Sequence, residues 1–401
     1  MSIYDSSTWN GQLGANKIYN STFNAYKLLG TVADRLKGLG SSLVDRFRVD
    51  VSGYEDKLVK TDFDILKSYV FDENDTDCLT PGEKVDPKQE FFKISQQRQI
   101  SLYTPTKFLT KLAWMKEDAF NEFQSVVQAD VRDTKKAYDY LIGMTAIGTM
   151  EAGSDNATDK GYAQKQTIKI GAAPAQDATK AEVEAYNRLA GQTIAKELDD
   201  ILVKACDLGR DFNDYGFMKS YEKSDFTFVG NSEMINTILK IDLPQIFNNA
   251  GLDSDLKGEK IQAKYFGKLN SAVIAKSAVT ANKYRALEEA DYATGANAAV
   301  THVYPGDYIP AGTTMVTSLN ANGTAKTVAS EIAVGEVYEN DNTILGKFIH
   351  KEAIKYLTGM ETESEFWNGK NLSTNRWLTW FFEKPKRSKS YPIITVRVSQ
   401  S

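Results

Sequence analysis

The feature that most constrains this chain is a long helical pattern over residues 116–142, KEDAFNEFQSVVQADVRDTKKAYDYLI. Neither Gly nor Pro interrupts it, and its stripe recurs every three or four positions: Phe120, Phe123, Val127, Val131, Thr134, Tyr138 and Leu141. At 1.5 Å per residue the helix would be roughly 40 Å long. We predict that it ends at Gly143 and lies across a sheet. Pairing with a partner helix is the alternative, although the stripe is mixed in size and polarity.

A second helical pattern covers residues 179–208, after a loop rich in Gly, Ala and Asp. Gly209 is the expected C-cap of this helix. The predicted buried stripe consists of Val183, Tyr186, Ala190, Ile194, Leu198, Ile201, Ala205 and Leu208.

The stretch DFTFVGNSEMINTIL, residues 225–239, predicts a buried strand that turns directly into a helix. Such elbows hold nucleophiles or phosphate in many enzymes, but a nucleophile elbow needs Gly-x-Ser-x-Gly and this chain has Gly-Asn-Ser-Glu-Met. The spaced glycines and the Lys of a phosphate loop are missing too. We therefore interpret Asn231 or Ser232 as a helix N-cap that contributes roughly 1 kcal/mol.

Residues 46–110 predict an extended β-hairpin arm. KQEFFKISQQRQISLY alternates, with Phe92, Ile94, Ile100 and Leu102 on one face, and an acidic loop with Pro and Gly precedes it. The hairpin is polar on both sides and has little core of its own. Residues 1–45 are rich in Gly, Asn and Ser, which leaves two interpretations open: an arm that a neighbour orders, or a floppy terminus.

The last third of the chain predicts mostly strands. Residues 278–340 form a small β-rich insertion, with a hairpin turn at Asn322–Gly323. TILGKFIHKEAIKYLTGM, residues 343–360, is expected to be helical near its end. Two apolar strands then close the chain, joined by a basic turn that we interpret as a solvated hairpin tip rather than a nucleic-acid contact: Lys384, Lys386, Arg387 and Lys389.

The search for chemistry leads to no catalytic, cofactor-binding or metal-binding residue. His302 and His350 have no motif around them, and we interpret His350 as a half-exposed helical histidine. The calcium-like stretch 253–264 places Lys257 and Lys264 where oxygen ligands are required, and the acidic run 72–77 has no glycine for the turn. The chain is therefore not expected to be an enzyme or to hold a cofactor.

Composition narrows the class further. The chain has 401 residues, enough for two or three packed regions, and its 42% hydrophobic and 25% charged residues are typical of soluble globular proteins. A net charge of −5 provides no general attraction to DNA or an anionic membrane. No secretory signal or membrane span is expected, and Cys78 and Cys206 form no CxxC motif, which favours a reducing cytoplasm.

The order of these predicted elements resembles the major capsid proteins of tailed bacteriophages, short-tailed ones in particular, which have the Hong Kong 97-type fold. In this resemblance AFNEFQSVVQADVRDTKKAYDYLIG is the spine helix, and FTFVGNSEMINTIL is similar to the strand-turn-helix of the axial domain. It implies an α+β fold divided as follows: N-terminal arm 1–45, extended loop 46–110, peripheral domain 111–224 with spine helix 116–142 and second helix 179–208, axial domain 225–277, β-rich insertion 278–340, and an axial and peripheral return 341–401.

The resemblance also implies a function and a set of partners. The chain would be a structural protein whose hexamers and pentamers build an icosahedral head around double-stranded DNA, which it touches only weakly. Its other expected partners are a separate scaffolding protein, a portal, and head-fibre or decoration proteins; no membrane is expected. Assembly would occur in the host cytoplasm, and the final location would be the virion. The alternatives are a tail or collar component and a carboxylate hydrolase with an unidentified site.

Overall fold

The computed structural model describes residues 42–51, 57–68, 70, 73, 84–104, 117–175, 177–236, 257–270, 274–275, 279, 284–332, 335–368, 370 and 373–400. For residues 117–128 it describes the backbone only. The predicted N-terminal arm 1–45 and most of the acidic loop that precedes KQEFFKISQQRQISLY lie outside the described residues.

The described residues combine long helices with many strands. The α-helices are α1 Ser42–Asp45, α2 Glu117–Thr149, α3 Lys180–Cys206 and α4 Ser232–Met234. The strands are β1 Arg48–Asp50, β2 Lys57–Asp62, β3 Lys88–Lys93, β4 Gln96–Thr104, β5 Lys165–Ile170, β6 Phe226–Asn231, β7 Lys257–Ile261, β8 Gly267–Leu269, β9 Ile274–Ala275, β10 Tyr284–Ala286, β11 Ala290–Ala293, β12 Thr301–Val303, β13 Thr314–Leu319, β14 Ala325–Val328, β15 Glu331–Ile332, β16 Val337–Asn340, β17 Ile344–His350, β18 Ile354–Asn368, β19 Ser373–Phe382, β20 Lys386–Arg387 and β21 Ile393–Gln400.

The chain divides into two discontinuous units. The first contains residues 1–56, 93–141 and 356–384, and its sheet has the order β1-β18-β19-β4. Strand β1 runs parallel to β18, whereas β18, β19 and β4 are antiparallel neighbours. Helix α2 packs against this sheet: Asp139 accepts hydrogen bonds from the Tyr356 hydroxyl and from Arg48, each at 2.7 Å. The prediction that the long helix lies across a sheet is confirmed for this part of the helix.

The face that α2 buries differs from the predicted stripe. Val131 is buried as expected, but Lys135 and Asp139 are more buried than Thr134 or Tyr138. The side chains of Phe120, Phe123 and Val127 lie outside the described residues. Burial of these charged groups is tolerable because each is paired: Lys135 contacts Glu361, and Asp139 has the two partners given above.

Helix α2 continues past Gly143 to Thr149, so the predicted stop at Gly143 is wrong. Every residue from 142 to 149 is buried, and this packing outweighs a glycine penalty of about 1 kcal/mol. Gly148 has a positive role, because a Cβ at this position would collide with the backbone of Tyr265. The buried Lys347 ammonium caps the helix by donating to the Gly148 and Met150 carbonyls, at 2.7 Å each.

The second unit contains residues 57–92, 142–355 and 385–401. Its central sheet has the order β5-β21-β17-β6-β7, with parallel pairs at both edges and antiparallel pairs in the middle. Helix α3 packs on this sheet and shares its core. The buried core residues are Ile168, Ile170, Ala190, Ile194, Leu198, Ile201, Leu202, Ala205, Phe212, Tyr221, Phe226, Phe228, Ile235, Leu345, Phe348, Ile394, Val396 and Val398.

Helix α3 has a side-chain cap at its N-terminus, and its C-terminus differs from the prediction. Thr179 is the N-cap, and it forms a reciprocal capping box with Glu182. At the other end Asp207 is the C-cap, and Gly209 instead forms a β-bridge with Lys219. The predicted Gly209 cap is therefore wrong, and Leu208 is exposed because the helix ends before it.

The segment from 284 to 340 is β-rich, as predicted. Its strands form the sheets β10-β16-β8 and β12-β11-β13-β14, and β15 pairs with β9. The predicted hairpin turn joins β13 to β14, with Gly323 at φ 79°. A separate apolar core fills this region: Val279, Tyr284, Ala286, Tyr292, Val303, Ile309, Ile332 and Val337.

Two predictions for the last third are wrong. Residues 344–350 and 354–368 are strands, not helix, and a turn at Lys351–Ala353 separates them. The β-branched and aromatic residues of this stretch suit buried strands once neighbouring strands are available. The closing strands β19 and β21 belong to different sheets, so they do not form a hairpin. The basic segment that was predicted to be its turn contains β20, which pairs with β18. Arg387 is half-buried there and forms an ion pair with Asp214.

Candidate functional site: the hairpin arm and its root

The predicted hairpin over 46–110 is present only in part, and we use the name arm for the described residues of 57–92. Strands β2 and β3 pair in a two-stranded sheet of their own. Strand β4, which the sequence pattern had joined to β3, instead pairs with β19. The arm therefore begins and ends close together and has no other strand beside it among the described residues. What fixes its direction is a set of polar contacts at its root, which we define as Lys60, Asp62, Asp64 and Glu90.

The outgoing strand of the root is held by charge pairs. Asp62 pairs with Lys219, and Lys60 pairs with Glu352. Asp64 accepts from Arg210 at 2.6 Å and from the Met218 backbone N–H at 3.0 Å. These hydrogen bonds hold the pKa of the Asp64 carboxyl below its usual value, because both stabilise the ionised form.

Glu90 holds the returning strand through three donors. The Tyr215 hydroxyl donates to one carboxylate oxygen at 3.0 Å, and the Lys389 backbone N–H donates to the same oxygen at 2.7 Å. The Ser388 hydroxyl donates to the other oxygen at 2.6 Å. Burial, together with the charge of Glu90, raises the pKa of Tyr215 to about 12, so the phenol stays a donor at neutral pH.

An aromatic stack adjoins the root. The Lys60 and Lys219 ammonium groups lie 4.5 Å and 5.2 Å from the Tyr391 ring centroid, and that ring stacks on His350 at 4.8 Å. His350 is a buried residue of β17, so its interpretation as a half-exposed helical histidine is wrong. Burial lowers the pKa of His350 to about 4, in spite of Asp225 at 3.5 Å from Nε2.

Beyond its anchored root the arm exposes apolar side chains. Phe63, Ile65 and Leu66 are each more than half exposed, and Val70 is 96% exposed. On the returning limb Val85 and Phe91 are exposed as well. Leaving this many large apolar groups on one thin element is costly in water. These apolar residues were not predicted to be exposed, because the acidic tip is the stronger signal in this part of the sequence. The run DFDILKSYV contains four of them.

The strand-to-helix elbow is a structural corner. Asn231 is the N-cap of α4, and its side-chain oxygen accepts from the backbone N–H groups of Glu233 and Met234. Its amide donates to the Ile344 carbonyl at 3.1 Å, and the residue is buried. The structure thus decides between the two candidate caps in favour of Asn231.

The remaining candidate residues do not converge. His302 lies on exposed β12, with Asp291 and Glu289 at opposite ring nitrogens, at 2.7 Å and 3.4 Å. Residues 257–264 of the calcium-like stretch are described: Lys257–Ile261 is strand β7, and Lys264 lies in the short 3-10 helix Ala263–Tyr265. Cys206 is a free, half-buried thiol, and Cys78 and the run 72–77 lie almost wholly outside the described residues.

Within the described residues no three His, Cys, Asp or Glu side chains are grouped to hold a metal ion. No helix in the same part of the chain is long and apolar enough to cross a membrane.

Known proteins resemble this chain in structure but not detectably in sequence. No protein family profile matches the sequence, and no curated protein matches it. A chain of the capsid structure of Staphylococcus phage Andhra aligns with a TM-score of 0.52 over 88% of this chain and 83% of that chain, at 8% sequence identity.

Two other solved structures align with lower scores. A chain of the bacteriophage PhiM1 mature capsid has a TM-score of 0.43, 8% identity, and coverage of 90% and 88%. A chain of the structure of the head fiber and inner core protein gp22 of native bacteriophage P68 has a TM-score of 0.49, 8% identity, and coverage of 88% and 83%. The alignment at 0.52 confirms the predicted fold class, a mixed α+β chain with the fold of a phage capsid structure.

Proposed function

We propose that this chain is the major capsid protein of a tailed bacteriophage. Copies of it would assemble into the hexamers and pentamers of an icosahedral head that encloses double-stranded DNA. The observation that carries the proposal is the shared fold over 88% of the chain with a phage capsid structure. The anchored arm with its exposed apolar side chains supports it independently.

The arm explains how such a chain assembles. Its root has seven polar contacts to the body of the second unit, so the arm is held in one direction before a partner arrives. Its apolar limb has no comparable cover within the described residues. A neighbouring copy that covers a half-exposed large side chain gains roughly 1 kcal/mol, since burying one completely is worth about 1.5 to 3. That gain repeats at every boundary of a closed shell.

The finer assignments belong to the same proposal. The protein acts as a structural component and not as an enzyme, and its location is the virion after assembly in the host cytoplasm. A separate scaffolding protein and a portal complete the particle, with head-fibre or decoration proteins as further partners. Residues 111–224 form the peripheral domain, 225–277 the axial domain and 278–340 the added β-rich insertion.

The test uses two arm variants of the full chain. In the first, a short Gly/Ser linker replaces residues 72–87; in the second, Phe63, Ile65 and Leu66 become Ser. Both subunits should remain soluble, with unchanged helical signal and similar Tm, because the root contacts are retained and loop closure changes by only about RT. Neither should form closed shells in negative-stain micrographs.

The matched control changes Leu189, Val203 and Leu208 to Ser, which removes equally exposed apolar side chains from the neighbourhood of α3. It should assemble normally. Shells from both arm variants, or unfolding of the free subunit on deletion of 72–87, would show that the arm is not an assembly element. Rings or tubes in place of closed shells from the unmodified chain would point to a tail or collar component.

A further inference from the structure

A buried arginine lies in the β-rich segment of the second unit. Arg285 is the middle residue of β10, opposite Tyr338 of β16. Its exposed fraction is 0%. None of its three guanidinium nitrogens has a hydrogen-bond partner among the residues that the structure describes. The ring of Tyr308 lies over it, with the ring centroid 3.5 Å from the guanidinium carbon.

This arrangement is energetically incomplete. A guanidinium keeps its charge at any pH at which a protein folds, so it cannot relieve its burial by losing a proton. An uncompensated buried charge costs more than a single cation–π contact returns. No acidic side chain among the described residues supplies an acceptor to it.

A buried hydroxyl group lies under the same turn. It belongs to Thr145, and its interaction with the Tyr338 phenol lowers the pKa of that phenol. A Cβ at Gly306 would lie 3.3 Å from that oxygen and 2.8 Å from the Tyr265 ring, which shows how closely the turn covers both. Burial raises the pKa of Tyr338 and the charge of Arg285 opposes the rise, so this phenol is within electrostatic reach of the guanidinium.

The turn that carries Tyr308 covers Arg285. The backbone of this turn is fixed by hydrogen bonds, whereas the Tyr308 side chain faces water. The turn 304–309 is bonded to β10 on both sides: Gly306 N–H donates to the Ala286 carbonyl and Ile309 N–H to the Tyr284 carbonyl, each at 2.9 Å. Tyr308, in contrast, is 43% exposed. A change of χ1 in this one side chain would move the ring off the guanidinium without breaking either backbone bond.

We propose that Arg285 is the anchor of an oxyanion site that the Tyr308 ring covers, and that it takes a carboxylate or phosphate group. The forked donors of a guanidinium match both groups in a bidentate geometry. Two sources supply this chemistry: a carboxylate side chain of a second copy of this chain, or free inorganic phosphate. The site exists in the single chain, and only its occupation by a second copy rests on the capsid proposal.

The experiment measures thermal unfolding of the free full-length subunit in sodium phosphate, sodium acetate and sodium chloride at equal ionic strength. Phosphate or acetate should raise Tm by about 3 °C over chloride at a hundredfold excess over Kd. The shift should be lost in Arg285→Met. It should persist in Lys268→Met, which removes an exposed cation. In chloride, Arg285→Met should melt no lower than the native chain, because an unpaired buried charge has been removed.

Assembly assays identify the source. A phosphate-dependent shift together with normal particles from Arg285→Met identifies free phosphate. Folded Arg285→Met subunits that fail to assemble identify the carboxylate of a second copy. The proposal is wrong if neither anion shifts Tm and Arg285→Met assembles normally. It is equally wrong if the anion shift survives in Arg285→Met, or if that variant melts well below the native chain in chloride.

Discussion

The buried lysine at the end of the long helix makes the stability of the free subunit depend on pH in an uncommon direction. Burial lowers the pKa of Lys347 from 10.5 to about 8, with Glu151 opposing the shift. The unfolded chain therefore holds this proton more tightly than the folded chain does. By linkage, the free energy of unfolding is lowest below about pH 8, rises between about pH 8 and pH 10.5, and levels off above.

The size of the effect follows from the two pKa values. A difference of about 2.5 units corresponds to about 3 kcal/mol between the low-pH and high-pH limits. Between about pH 7 and about pH 9.5 the gain in unfolding free energy should be about 2 kcal/mol. Buried tyrosines, whose pKa values burial raises, oppose part of this gain because they begin to ionise first in the unfolded chain, and a variant without the lysine corrects for them.

The assay is urea unfolding of the native chain and of Lys347→Met at both pH values. Met removes the titration and keeps the length of the side chain, so the variant should lack the 2 kcal/mol rise that the native chain shows. Lys268→Met is the matched control, because Lys268 is exposed, and it should retain the rise. Parallel pH profiles for the native chain and Lys347→Met would refute the lowered pKa of Lys347.

The other predictions concern the aromatic stack and the elbow. Burial lowers the pKa of His350 to about 4. The native chain should therefore lose about 2 kcal/mol of unfolding free energy relative to His350→Phe as pH falls from about 7 to about 4.5. If both proteins lose the same free energy over this range, a titrating group other than His350 is responsible. Asn231→Ala should cost about 2 to 4 kcal/mol in urea unfolding, because it removes a cap and leaves the Ile344 carbonyl without its donor. The neighbouring control Ser232→Ala should cost about 1 kcal/mol or less, and equal costs would contradict the assignment of the cap.

Local patterns predicted those elements whose signals are local. The elbow at Asn231 and the hairpin turn at Gly323 follow from neighbouring residues, and the structure has both. The boundaries that failed were decided by distant partners. Helix α2 passes Gly143 because its last turns are buried and capped by Lys347, about 200 positions away in the sequence.

The arm's root and the buried charges were harder to foresee. Lys135 and Asp139 look like solvent-facing residues until Glu361, Arg48 and Tyr356 are placed beside them. Glu90 is one of 53 acidic residues, and its three donors come from residues 215, 388 and 389. Such sites depend on contacts of high sequence separation, which periodicity does not encode.

The position of β21 sets the order of events during translation. This strand lies between β5 and β17, so the central sheet stays divided until residues 393–400 have left the ribosome. At roughly 5 to 20 residues per second, β5 waits on the order of ten seconds or more for that partner. Glu90 likewise gains its Ser388 and Lys389 donors only then. The arm is therefore held in its final direction only after these residues have been translated. Neighbouring nascent chains on one messenger RNA do not yet present an anchored arm to one another.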